Sequence, residues 1–144
     1  EVLEYAALLH DIGQYLSLKA NHKSSRYILK RSDPRGFNDE EMLLIGHVIR
    51  YHRKSHPKRK HKQFKKLSEQ QQQIVWVLAG LLRIAVGLDR TKDQHIENVS
   101  CQLSEDTLEI TVTGKGSLDV GVWAASSDRQ VLEKALKRTV KVMS

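Results

Sequence analysis

Apolar residues recur at helical spacing over the first part of the chain. Ala6, Leu9, Gly13 and Leu16 stand three and four apart, which predicts a helix running to about Ser17. A short helix is expected from Ser24 to Arg31, then a turn in Ser32-Asp33-Pro34-Arg35-Gly36. Asn38 and Glu41 form a capping-box-like pair. Residues Met42 to Tyr51 are apolar nearly all round, so the helix they form should be central. The stretch from His56 to Lys66 has little apolar periodicity and reads as an exposed loop. Ser68 with Gln71 opens another helix, expected to reach about Leu88 on a core stripe of Ile74, Leu78, Leu81, Ala85 and Leu88.

After Lys92 the period shortens to two. Val99, Cys101 and Leu103 alternate with polar residues, as do Leu108, Ile110 and Val112 beyond Ser104-Glu105-Asp106, which predicts a hairpin. Leu118, Val120 and Val122 suggest a third strand, Ser127 to Arg138 a helix with Val131, Leu132, Ala135 and Leu136 inward, and Val140 and Val142 a last strand. The expected class is α+β, mainly α: a helical bundle over residues 1–92 and a small αβ segment over residues 93–144.

Composition sharpens this picture. The chain has 144 residues, two-fifths of them apolar, enough for one domain with its own core and a small appendage. Glu1 to Tyr5 already reads as helix with no capping residue ahead of it, so the chain is expected to be part of something longer. Cys101 is the single cysteine, which excludes an internal disulfide and a cysteine-based metal site and suits a reducing cytoplasm. No signal peptide is visible. The apolar run from Ile74 to Leu88 is interrupted by Arg83 and falls short of the roughly 20 residues a bilayer needs, so no membrane is expected.

The net charge of +7 favours acidic partners. It is unevenly placed: no Asp or Glu occurs between Met42 and Ser68, while Arg50, Arg53, Lys54, Lys58, Arg59, Lys60, Lys62, Lys65 and Lys66 all do. The first of these cations extend a helix and the rest fall in the loop. Such a tract neutralises phosphates without reading sequence, Arg by paired hydrogen bonds and Lys as a point charge. The bland alternative is a solvated face, but nine cations without one acid exceed what solubility requires. Tyr51 and Phe64 are its only aromatics, so phosphate binding is better supported than base stacking.

Three further positions carry metal-ligand chemistry. The adjacent pair His10-Asp11 offers an imidazole and a carboxylate, although hydrogen bonding alone explains many such pairs. Asp89 closes an apolar helix, where an acid is costly unless paired with a cation such as Arg83 or Arg90 or with a metal. His52 continues the stripe of Met42, Ile45 and Ile49, where a satisfied core histidine is the commoner case; His47 is similar. Gly114-Lys115-Gly116 lacks the surroundings of a nucleotide loop, and neither a nucleophile elbow nor a Cys-His pair is present.

The string Ala6-Ala7-Leu8-Leu9-His10-Asp11-Ile12-Gly13 resembles the helix of HD-domain phosphohydrolases. Tyr27-Ile28-Leu29, Gly36-Phe37, Glu40-Glu41, Arg50-Tyr51-His52-Arg53-Lys54 and the run from Leu82 to Arg90 follow in order. Together they resemble the carboxy-terminal region of the exopolyphosphatase and guanosine pentaphosphate phosphohydrolase family, clearly over residues 1–90 and more loosely to 144. The resemblance implies an HD-like bundle whose catalytic partners are two amino-terminal domains of actin-like fold that use acidic residues and Mg2+. It also implies that the carboxy-terminal region binds polyphosphate or guanosine pentaphosphate and helps form a channel or homodimer surface.

By the same resemblance, His10, Asp11 and Asp89 correspond to an HD metal set for Mg2+ or Mn2+. Ser24 stands where the family often has a His, with His22 nearby, and the first His of the set would precede Glu1. The expected role is therefore a non-catalytic polyanion-binding domain, with Arg50, Arg53, Lys54, Lys58, Arg59, Lys60 and Lys62 as contacts and with weak metal binding at most. The alternatives are a metal-dependent HD-type phosphohydrolase acting on a nucleotide or phosphate ester, and a nucleic-acid-binding module.

Overall fold

The structure is a computed structural model that describes residues 1–15, 21–32 and 35–144. It is α+β and mainly helical, with a three-stranded sheet, as the sequence pattern implies. The chain forms two compact units, Glu1–Leu82 and Arg83–Ser144.

The first unit opens with α1 (Val2–Leu9), followed by a 3-10 turn at Ile12–Tyr15 and by α2 (Asn21–Ser32). The helix expected to run to Ser17 instead stops at Leu9; Leu16 and Ser17 lie outside the described residues. Ser25 of α2 supplies the reason. Its hydroxyl accepts from the Gly13 N–H at 2.7 Å and donates to the His10 carbonyl at 2.6 Å. Those are the backbone groups that a continuing α-ladder would use.

Next comes α3 (Asp39–Tyr51), opened by the expected capping box: Asn38 Oδ1 accepts from the Glu41 N–H, and the Asn38 N–H donates to Glu41 Oε2. Its residues Leu44 to Ile49 are all buried, so the helix is central. A second capping box, Ser68 with Gln71, opens α5 (Glu69–Leu88), whose Gln71 amide also donates to Glu40 at the start of α3.

The buried face of α5 is not the expected one. Val75, Ala79 and Leu82 are buried, whereas Ile74, Leu78, Leu81 and Leu88 are only partly so and Ala85 is exposed. Leu44, Tyr51, Phe64, Leu67, Val75 and Ala79 form one apolar cluster, with Val2, Ile74 and Trp76 packed at its margin. The helix is apolar nearly all round, so the shape of this partner surface sets its rotation, which spacing alone does not encode.

The segment read as an exposed loop is anchored. It contains a one-turn helix, α4 (Lys62–Lys65), whose Phe64 is 2% exposed, and Pro57 and Leu67 are buried too.

In the second unit β1 (Ile96–Leu103) and β2 (Thr107–Gly114) form the expected antiparallel hairpin, with Val99 opposite Val112, Cys101 opposite Ile110 and Leu103 opposite Leu108. The strand expected at Leu118 to Val122 is instead the start of a helix, α6 (Asp119–Ser127). Gly121, Ala124 and Ala125 are its buried face, and a Cβ on Gly87 would stand 2.6 Å from the Ala125 nitrogen. Backbone therefore meets backbone, and these small residues carry a helical period that the flanking valines mask. Then α7 (Gln130–Leu136) buries Val131, Leu132 and Ala135, and Lys137 ends it in the left-handed region at φ 53°. Last, β3 (Thr139–Met143) pairs parallel to β2, placing Leu108 beside Val140 and Ile110 beside Val142.

Candidate polyanion site

The basic tract begins at the end of α3. The helix stops at Tyr51, so Arg53 and Lys54 lie in the turn beyond it, with Lys54 at φ 58°. Tyr51 is the hinge between helix and loop. The His47 ring stacks on it at 6.1 Å and 10°, and the His61 ring at 5.6 Å and 9°. The Tyr51 hydroxyl and His61 Nδ1 share a 2.7 Å hydrogen bond, and Phe64 meets Tyr51 edge-on at 5.7 Å. These contacts fold the loop back onto the helix end, so its conformation is held by apolar burial and ring packing while its cations face out.

The predicted cations fall into subsets. Arg50, on the helix, and Lys58 and Lys60, on the loop, all act on His61; after burial, their charges hold its pKa below the usual imidazole value. Arg50 and, less strongly, Arg53 also act on the buried His22, and Arg53 acts on His52. Lys54, Arg59, Lys60 and Lys62 are exposed, while Arg50, Arg53 and Lys58 are partly buried. The Arg50 guanidinium stands 5.5 Å over the Tyr51 ring, and its Nη1 is buried without a hydrogen-bond partner among the described residues. Tyr51, His61 and Phe64 organise the tract but went unassigned in the sequence. A Tyr and a His ten residues apart have no spacing signature across an irregular loop.

His10 and Asp11 lie at the end of α1, with Nε2 and Oδ2 3.4 Å apart. The His10 ring is 5.1 Å from that of His52, which is 6.5 Å from that of His22. Burial is the first cause that lowers the pKa of His22 and of His52 to about 4, so both rings are neutral at pH 7. Asp89 is exposed at the end of α5 in the other unit, beside Asp93 and His95 in a cleft of about 240 Å³. Among the described residues no group of three or more His, Cys, Asp or Glu is arranged to hold a metal ion. The hydroxyl of Ser25, the residue after Ser24, is committed to backbone. Of the expected set, His10 and Asp11 lie in the first unit and Asp89 in the second.

The described helix Glu69–Leu88 is long and apolar enough to cross a membrane by length and composition, but Val75, Ala79 and Leu82 are buried within the protein. A comparison with protein families matches residues 1–134 to the model described as Ppx/GppA phosphatase, domain III.

Proposed function

The chain belongs to the Ppx/GppA phosphatase family, as its domain III, and from that premise we propose that it holds polyphosphate, or a related polyanion such as guanosine pentaphosphate, for actin-like catalytic domains of the same cytoplasmic protein. The observation that carries this reading is the tract from Met42 to Ser68, which has no acid and holds nine cations on a support folded back onto the end of α3. A flexible chain of phosphates needs closely spaced cations on a firm support, and the Tyr51–His61–Phe64 packing supplies that support. HD-like ancestry of the first unit belongs to the same reading, with His10-Asp11 as its trace. In this reading hydrolysis belongs to the catalytic domains and this domain supplies binding.

The test is a polarisation titration with long-chain polyphosphate. The variant carrying Lys58→Ala, Arg59→Ala, Lys60→Ala and Lys62→Ala should bind at least about tenfold more weakly, since each phosphate contact carries part of the affinity. Helical content by circular dichroism should be unchanged, because Arg59, Lys60 and Lys62 are exposed and Lys58 is partly so. Equal affinity in the two proteins would reduce the tract to a solubilising face. Tighter binding to single-stranded DNA would favour a nucleic-acid module.

A further inference from the structure

A cleft of about 360 Å³ is lined by residues of α2 and α3 and by Gln63 of α4. Its size is that of a small-molecule pocket. One wall carries two cations, Arg26 and Lys30, a helical turn apart on α2. The Arg26 stem lies over Gly46, where an added Cβ would be 3.8 Å from its Cγ. Arg50 stands one turn beyond Gly46 on α3.

Among the described lining residues one carboxylate, Asp39, stands against two cations, Arg26 and Lys30. The groups that act on the Arg26 guanidinium are Tyr51 and a second cation, Arg50, rather than a carboxylate. Arg50 keeps a buried Nη1 without a hydrogen-bond partner among the described residues. Partly buried guanidinium groups without an acid are costly, and a phosphate is the anion their forked geometry fits best.

The rest of the cleft does not suit a bare phosphate polymer. Its floor is apolar, made by Leu29, Met42 and Leu43, and Leu43 is 42% exposed. Asp39, two turns before Gly46, and Gln63 complete the lining. A carboxylate repels inorganic polyphosphate but accepts hydrogen bonds from the amino or hydroxyl groups of an organic body. An anion with a flat, partly apolar body carrying such donors satisfies all three surfaces.

We propose that this cleft binds a nucleotide, its phosphates on Arg26 and Lys30 and its ring on Leu29, Met42 and Leu43, with Asp39 and Gln63 meeting the ring or ribose donors. None of these seven contacts is among those assigned to polyphosphate, although Arg50 adjoins both sites.

Calorimetry of the full chain with ATP, and with inorganic tripolyphosphate as the phosphate-only control, tests the assignment. ATP should bind about tenfold more tightly than tripolyphosphate, or more. Arg26→Gln and Leu43→Gln should each weaken ATP binding several-fold, and Lys30→Gln, at an exposed position that cannot disturb the core, should do so too. The quadruple loop variant should bind ATP as wild type does, so a failed polyphosphate track and a failed cleft give different results. Tripolyphosphate binding as tightly as ATP would overturn the nucleotide assignment. Unchanged ATP affinity in Arg26→Gln and Lys30→Gln would overturn the site.

Discussion

His61 is held by Tyr51 on one side and repelled by Arg50, Lys58 and Lys60 on the other, after the cost of its own burial. Its pKa therefore lies below the usual imidazole value in the free protein. A polyanion laid on those cations cancels their repulsion, so the bound protein takes up a proton more readily than the free one. Linkage then requires affinity to rise as pH falls through the imidazole range. Polyphosphate affinity should be several-fold higher at pH 6 than at pH 8 in wild type, and His61→Asn should flatten that dependence. His47 makes the opposite kind of statement. It is 1% exposed, neither ring nitrogen has a partner among the described residues, and burial holds its pKa at about 4. An unfolded chain protonates this imidazole near pH 6.5 and the folded one only near 4. The stability it permits is therefore complete above pH 6.5 and is lost as pH falls towards 4. At about 1.4 kcal/mol per pKa unit, His47 contributes roughly 3 kcal/mol of acid lability. His47→Phe should retain markedly more of its melting temperature between pH 6.5 and 4.5 than wild type does.

At the scale of elements, Phe64 joins a surface feature to the core. Its ring is 2% exposed and sits against Tyr51 and His47. Phe64→Ala should cost about 3 kcal/mol or more in urea unfolding. It should also weaken polyphosphate binding although no charge changes, because α4 and its cations lose their anchor. Elements with a local chemical signature were legible in the sequence: both capping boxes, the central α3 and the β1–β2 hairpin, whose turn and alternation agree. Elements decided by tertiary contact were not. The rotation of α5 depends on which of several apolar faces fits Tyr51 and Phe64. The helix α6 hides behind Leu118, Val120 and Val122 because its packing face is made of Gly121, Ala124 and Ala125, whose smallness reads as neutral in any hydrophobic pattern. The early end of α1 depends on a hydroxyl fifteen residues from His10. The candidate site was legible as a list of cations. Its organising residues were not, since Tyr51, His61 and Phe64 acquire a role only when the loop closes.

Taken as a whole molecule, the chain has a net charge of +7 and places nine of its cations in one acid-free tract that spans the end of α3 and the loop beyond it. Membership of the Ppx/GppA phosphatase family as its domain III places that tract in a phosphatase. The central claim is that the tract holds its ligand by charge, at several points along a polymer. Counterion release makes this measurable: the slope of log affinity against log salt counts the phosphates neutralised, and each lost contact lowers it by roughly one unit. The decisive measurement is that slope for long-chain polyphosphate, in wild type and in the protein carrying Lys58→Ala, Arg59→Ala, Lys60→Ala and Lys62→Ala. The account predicts a steep slope in wild type and one shallower by roughly two to four units in the variant. Parallel lines for the two proteins, or an affinity indifferent to salt, would contradict it.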